Sequence, residues 1–225
     1  MSRGTVLILA AMAAVFLAVS FMKGGDRGDD GAVRPAPWNI FVNEDGTSEV
    51  FGIVLGRTTA SSAMITLNME PEISLFESSS GRASVEAYFG KVTIGGLSGK
   101  LVANLEAPVG WVEEAKKRAV KTEPATGRGE RKIVLSSEDY RSAMLARVIA
   151  LTYVPSVNID EKVIRGRFGQ PDSIMRADEN VSYWSYPSKG LLIIVNKKGK
   201  EILQYMRPPD FDVMTSPLLH PNSRG

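Results

Sequence analysis

One histidine, His220, and no cysteine leave this 225-residue chain short of the side chains that carry most nucleophilic and metal chemistry. Thiol catalysis, disulfides, iron–sulfur clusters and cysteine-based zinc sites are excluded, and a serine triad lacks its imidazole. What remains is carboxylate, hydroxyl and cationic chemistry. Glu113-Glu114 and Glu138-Asp139 are adjacent acids within helical patterns, where solvation and the helix dipole account for them better than a facing pair of catalytic carboxylates. Gly96 to Lys100 (GLSGK) has some look of a phosphate loop. Its spacing is short, Leu101 stands where Ser or Thr would hold magnesium, and the context is strand, turn, strand. No catalytic, cofactor-binding or metal-ligating set is expected.

Two groups could serve recognition. Lys116, Lys117, Arg118 and Lys121, with Arg128, Arg131 and Lys132, form one basic run, read first as a solvated helix face and loop. Tyr183, Trp184, Tyr186 and Tyr205, with Tyr88 on an earlier strand, gather aromatic area of the kind found at protein interfaces. These five are the candidate partner-binding residues, although one face of each strand must also supply core. The triplet Arg27-Gly28-Asp29 lies in a spacer composition where chance explains it. Twenty-seven basic against 25 acidic residues give a net charge of +2, too balanced for a general nucleic-acid grip.

The elements that position these residues follow from periodicity. Thr5 to Met22 is an uncharged apolar run that as a helix would be about 27 Å long, just enough to cross a bilayer. It reads as an uncleaved membrane anchor. The competing reading is a cleaved signal peptide ending near Ala18-Val19-Ser20. A short leading tail before the span places the body on the far side, in a periplasm. Lys23 to Pro37 is Gly-, Asp-, Arg- and Pro-rich, the composition of a flexible spacer.

From Trp38 the pattern repeats: helix, proline exit, meander of strands. Thr58 or Thr59 caps a helix with Ala60, Ala63, Met64 and Leu67 on one face, ending near Asn68. Strands follow at Ile73 to Phe76 and Ala83 to Phe89, then at Val92 to Ile94 and Lys100 to Glu106 across a glycine turn. Val109 to Thr122 reads as helical, Glu123 to Glu130 as a breaker and boundary. Ser136 to Asp139 fits a capping box before a helix with Tyr140 and Met144, and Leu151 to Val154 reads as a strand. Asp160 caps a further helix that stops at Gly169 and Pro171, before strands at Val181 to Tyr186, Leu191 to Val195 and Ile202 to Tyr205. Pro208 onward lacks periodicity and is expected to be disordered.

Asp160 to Tyr205, with EKVIRGRFGQPD, VSYWSYP and LLIIVNKKGKEILQY, resembles the BamE (SmpA/OmlA) type of small barrel-assembly lipoprotein. The same module occurs in tandem in β-lactamase inhibitory protein. The match runs through Phe168-Gly169, Pro171, Trp184, Tyr186 and Gly199, and more loosely through Leu55-Gly56, Thr58 to Asn68 and Pro71. The chain as a whole resembles uncharacterised proteobacterial membrane-anchored proteins with such repeats. It lacks the lipobox cysteine of the lipoproteins. The resemblance implies an α+β fold of two tandem modules, each a helix plus an antiparallel three- or four-stranded sheet. The divisions expected are 1–37 anchor and linker, 38–125 first module, 126–207 second module and 208–225 tail.

The functional expectation is a non-catalytic envelope protein of the inner membrane, single-pass, whose periplasmic body binds another protein as adaptor, assembly factor or inhibitor. The alternatives are a hydrolase using carboxylates without histidine, and a protein that binds lipid or an envelope polymer.

Overall fold

A computed structural model describes residues 35–79, 81–125 and 130–219. The expected anchor at Thr5 to Met22, most of the spacer, Arg128 and His220 lie outside them. Among the described residues no helix is long and apolar enough to cross a membrane.

The chain opens on three short strands, β1 (Phe41–Val42), β2 (Ser48–Val50) and β3 (Ile53–Val54), which form their own antiparallel sheet. Helix α1 (Ala60–Leu67) follows, its first turn capped by Thr59 Oγ1, which accepts from the Ser62 amide, and its end turned by Asn68 at φ 52°. Next come β4 (Glu72–Glu77), β5 (Ala83–Ile94) and β6 (Leu97–Leu105), then α2 (Trp111–Lys117), β7 (Lys121–Pro124) and β8 (Arg131–Val134). The remaining elements are α3 (Ser137–Met144), β9 (Val148–Pro155), α4 (Glu161–Phe168), β10 (Ser173–Arg176), β11 (Val181–Tyr186), β12 (Leu191–Asn196), β13 (Ile202–Met206) and α5 (Phe211–Leu219).

Strands β4 to β13 form one antiparallel sheet in the order β10-β11-β12-β13-β9-β6-β5-β4-β8-β7. This corrects the expectation of two separate helix-plus-sheet modules. β9 pairs with β6 on one side and β13 on the other, welding the two meanders together. β8, assigned from sequence to the second module, pairs with β4 of the first. The physical reason is that alternation fixes which face of a strand is buried but not which strand lies beside it. Two isolated meanders would each expose unpaired inner edges, and joining them removes those edges. The expected boundary at 123–130 falls in the β7–β8 hairpin instead, and the expected helix from Val109 is shorter because Lys121–Pro124 is a strand.

The sheet has one deeply covered face. Ala83, Val85, Ala87 and Phe89 from β5 join Leu101, Ala103, Leu151, Tyr153, Leu203, Tyr205, Ile193 and Trp184 in one core. Against it pack Ala60, Ala63 and Leu67 of α1, Val112 and Ala115 of α2, Ala143 of α3, and Ile164 and Phe168 of α4. The small sheet contributes Val50, Phe51 and Ile53. A bulge at Phe89 shifts the β5 register between Tyr88 and Gly90, which returns Val92 and Ile94 to the core side.

The opposite face has its own cover. The tail, expected to be disordered, is ordered through Leu219: Pro208–Asp210 forms a tight turn, and α5 lays Phe211 and Met214 against Ala150, Leu192 and Met206. Arg207 holds Asp210 through two hydrogen bonds, Nε to Oδ2 at 2.6 Å and Nη2 to Oδ1 at 2.9 Å, which fixes the entry to that helix.

Candidate functional site

The five aromatic candidates do not share a surface. Trp184, Tyr186 and Tyr205 lie in the core, each 1% exposed or less. Their polar atoms are used there: Tyr205 donates to the Pro37 carbonyl at 2.9 Å, Tyr186 to the Gly169 carbonyl at 3.1 Å, and the Trp184 indole to Ser182 Oγ at 3.1 Å. The Arg165 guanidinium covers the Trp184 ring at 4.4 Å. Tyr183 and Tyr88 belong to the other face, Tyr183 beside the α5 cluster and Tyr88 in a separate small cluster with Val102 and Val154.

The charged candidates are largely consumed by ion pairs. Lys116 bonds Glu77 at 2.6 Å and Glu113 at 2.8 Å, Lys117 bonds Glu114 at 2.8 Å, and Arg118 holds the buried Asp139 at 2.6 Å. Arg131 also reaches Glu77, and Lys132 reaches Glu72. These contacts tie α2 to strand β4 and to the start of α3. In the GLSGK segment, Gly96 makes the β5–β6 turn together with the preceding Gly95, at φ 78° and 56°, and Leu97 to Lys100 are strand. A small cleft of about 40 Å³ beside Trp111, lined by Val85, Pro108, Ser142 and Ala146, has room for little more than a water. Among the described residues no three acids or histidines are grouped to hold a metal.

The unusual chemistry sits on the second sheet face, between Tyr88 and α5. Cross-strand pairing lines up two rows there. Ser74, Glu86, Asn104, Ala150 and Met206 follow one another across β4, β5, β6, β9 and β13. The neighbouring row runs Tyr88, Val102, Thr152, Gln204, Leu192 and Ser185 across β5, β6, β9, β13, β12 and β11. Directly opposed side chains in such rows stand roughly 4.5–5.5 Å apart at Cβ, close enough to act together.

These rows carry polar groups where a buried face would ordinarily carry apolar ones. Asn104 and Thr152 are 1% exposed and Ser185 3%, yet both amide atoms of Asn104 and the hydroxyls of Thr152, Ser185 and Tyr88 have no hydrogen-bond partner. An unmet buried polar group costs about 1–3 kcal/mol, so folded proteins rarely collect several on one surface. Glu86, also buried, accepts from Ser84 Oγ at 2.9 Å. Desolvation pushes its carboxyl up to about 8, with Glu130 nearby adding like-charge repulsion. Burial raises Glu130 as well. At neutral pH Glu86 is therefore mostly a neutral acid, both donor and acceptor.

Alternation along Ala83 to Phe89 sets Ser84, Glu86 and Tyr88 in the phase opposite to Ala83, Val85 and Ala87, which reads as the solvent side of a half-buried strand, and sequence reasoning passed over Asn104, Thr152 and Ser185. One signal was present: each lies within a strand between apolar or aromatic neighbours, in the phase opposite to the core residues. Comparison with family models, curated proteins and solved structures finds no match for this chain.

Proposed function

We propose that this is a non-catalytic binding protein of the cell envelope, anchored through Thr5 to Met22, which engages another protein through the polar rows of the second sheet face. One observation carries the reading: the hydroxyl and amide groups of Tyr88, Asn104, Thr152 and Ser185 lie on a single face without partners, each 9% exposed or less, so a partner reaches them once their present cover is displaced. Neutral donors and acceptors of this kind match peptide and side-chain amides of a protein segment, and an apolar surround strengthens each bond made there. Groups left unmet in the free protein and met in the complex give a binding surface selectivity against partners that cannot supply them. The apolar run of Thr5 to Met22 supports attachment to a membrane.

The test is site-specific photocrosslinking in native membranes. A photoreactive residue at Tyr88 or Tyr183 should give the same discrete adduct, whereas one at Ile65, exposed on α1 over the other face, should not. Thr152→Val should deplete the Tyr88 adduct. Adducts no stronger than from Ile65 would remove the reading's support.

A second reading, hydrolysis by carboxylates without histidine, draws on the two neighbouring raised acids Glu86 and Glu130. It requires turnover of a glycoside or ester substrate that Glu86→Gln abolishes while the fold persists.

A further inference from the structure

The ten-stranded sheet has two ends, and they differ. At one end β7 carries Pro124, which lacks an amide hydrogen, and a Lys121–Glu123 ion pair at 2.5 Å. Proline and charge are how proteins close a strand edge to further pairing. At the other end β10 (Ser173–Arg176) pairs only with β11 and has neither proline nor lysine. Asp172, Ser173, Ile174 and Arg176 are all exposed, Ile174 at 45%. Neither Asp172 nor Arg176 has an ion-pair partner among the described residues, so both charges are available to a neighbour across the edge.

We infer that β10 is a self-association edge, at which two copies of this chain pair antiparallel about a two-fold axis through Ile174. The sequence around that residue is self-complementary. In this register Ile174 faces Ile174 of the second copy, Ser173 faces Met175, and Asp172 faces Arg176 on each side of the axis. Shifting the centre by one residue in either direction sets Asp172 or Arg176 against Ile174, and no opposite charges meet within the strand. Asp172, Ile174 and Arg176 alternate in phase, so the apolar contact and both ion pairs fall on one side of the sheet, the side of Trp184, which is the cross-strand partner of Ile174. An isologous contact requires just this reciprocity. The product is one continuous sheet through two ten-stranded halves. The edge runs beside Ser185, the cross-strand partner of Ser173, but its contacts fall on the face of Trp184, opposite the Tyr88 to Ser185 rows, so the inference stands whether or not those rows bind a partner.

The chain has no cysteine, so a single introduced thiol reports the contact directly. Directly opposed strand residues bring Cβ atoms close enough for a disulfide. Full-length Ile174→Cys in detergent, under mild oxidation, should form a disulfide-linked dimer severalfold more than Ile65→Cys, whose site is 76% exposed on α1. Asp172→Arg in the Ile174→Cys background should reduce that dimer severalfold, and adding Arg176→Asp should restore it. Circular dichroism checks that each variant is folded. Equal dimer from the two thiols, failure of the charge swap to restore, or a disulfide-independent adduct to a different chain at position 174 would each overturn the inference.

Discussion

Gly190 shows how narrow the tolerance is at single positions. It follows the Pro187–Lys189 turn at φ 61°, and a Cβ there would lie 1.9 Å from the Met206 carbonyl oxygen. The same residue accepts the Met206 amide at 2.8 Å, so any shift that relieves the clash loosens the β12–β13 ladder. Gly190→Ala is expected to destabilise by about 3 kcal/mol or more, combining left-handed strain with a lost hydrogen bond, read as a fall in the urea midpoint. The polar rows behave in the opposite sense. Thr152→Val removes an unpaired buried hydroxyl without changing shape, so it should raise stability by about 1 kcal/mol while weakening partner capture. Glu86 adds a pH signature. Its carboxyl titrates near 8 when folded and at its ordinary value, near 4.5, when unfolded. Between those values the unfolded chain is ionised and the folded one protonated, so stability falls as pH rises through that window and levels off above it. Glu86→Gln should therefore gain little below pH 4.5 and progressively more toward pH 8, by a few kcal/mol. A gain that is the same at pH 4 and pH 8 would contradict a protonated buried acid.

Helix starts were the most legible elements. Thr59, Ser136 and Asp160 each accept from the amide three residues on, because a short polar side chain before an apolar stripe leaves the backbone few other solutions. The start of α3 is also an ionic junction. Asp139 takes the Ser136 hydroxyl at 2.6 Å and two Arg118 contacts, at 3.1 and 2.6 Å, though it is 1% exposed itself. The Arg118 hydrogen bonds hold its carboxyl below the usual range. Its contribution is present above the ordinary carboxylate value and fades as pH falls through the lowered one. Asp139→Ala should cost about 2–3 kcal/mol at pH 7, with the difference from the unaltered protein shrinking in acid. Strand phase was legible too, since Val85, Ala87 and Phe89 point inward as alternation requires. The tail was not legible: three prolines between Pro208 and Pro217 mask a helix whose order comes from docking Phe211 and Met214, a tertiary contact that local pattern does not contain. Asn104 and Thr152 were missed for a related reason, because a polar residue mid-strand reads as solvent-facing until the neighbouring strands are known.

At the scale of the molecule, strand order is what periodicity could not supply, and it decides how the protein folds. The β6–β9 pairing runs from Gly99 opposite Pro155 to Leu105 opposite Val148, and β4–β8 adds four more pairs across the same divide. The small sheet bridges it again: Phe51 packs on Tyr153 and Tyr205 at 5.5 and 5.4 Å, and Ser48 donates to the Met206 carbonyl at 3.1 Å. Val148 exchanges hydrogen bonds with Thr58 and Gly56 at 2.8 and 2.7 Å. A fragment 38–125 would leave the inner edges of β4 and β6 unpaired, and a fragment 126–207 would leave β9 open and lose the Phe51 packing. Neither keeps a closed core, so the intact protein should unfold in one cooperative transition, with fluorescence and circular dichroism midpoints coinciding. Each fragment alone should give a collapsed amide NMR spectrum, and mixing the two should restore dispersion by re-forming the shared ladders. A well-dispersed spectrum from either fragment by itself would mean that the single sheet is two folding units set edge to edge.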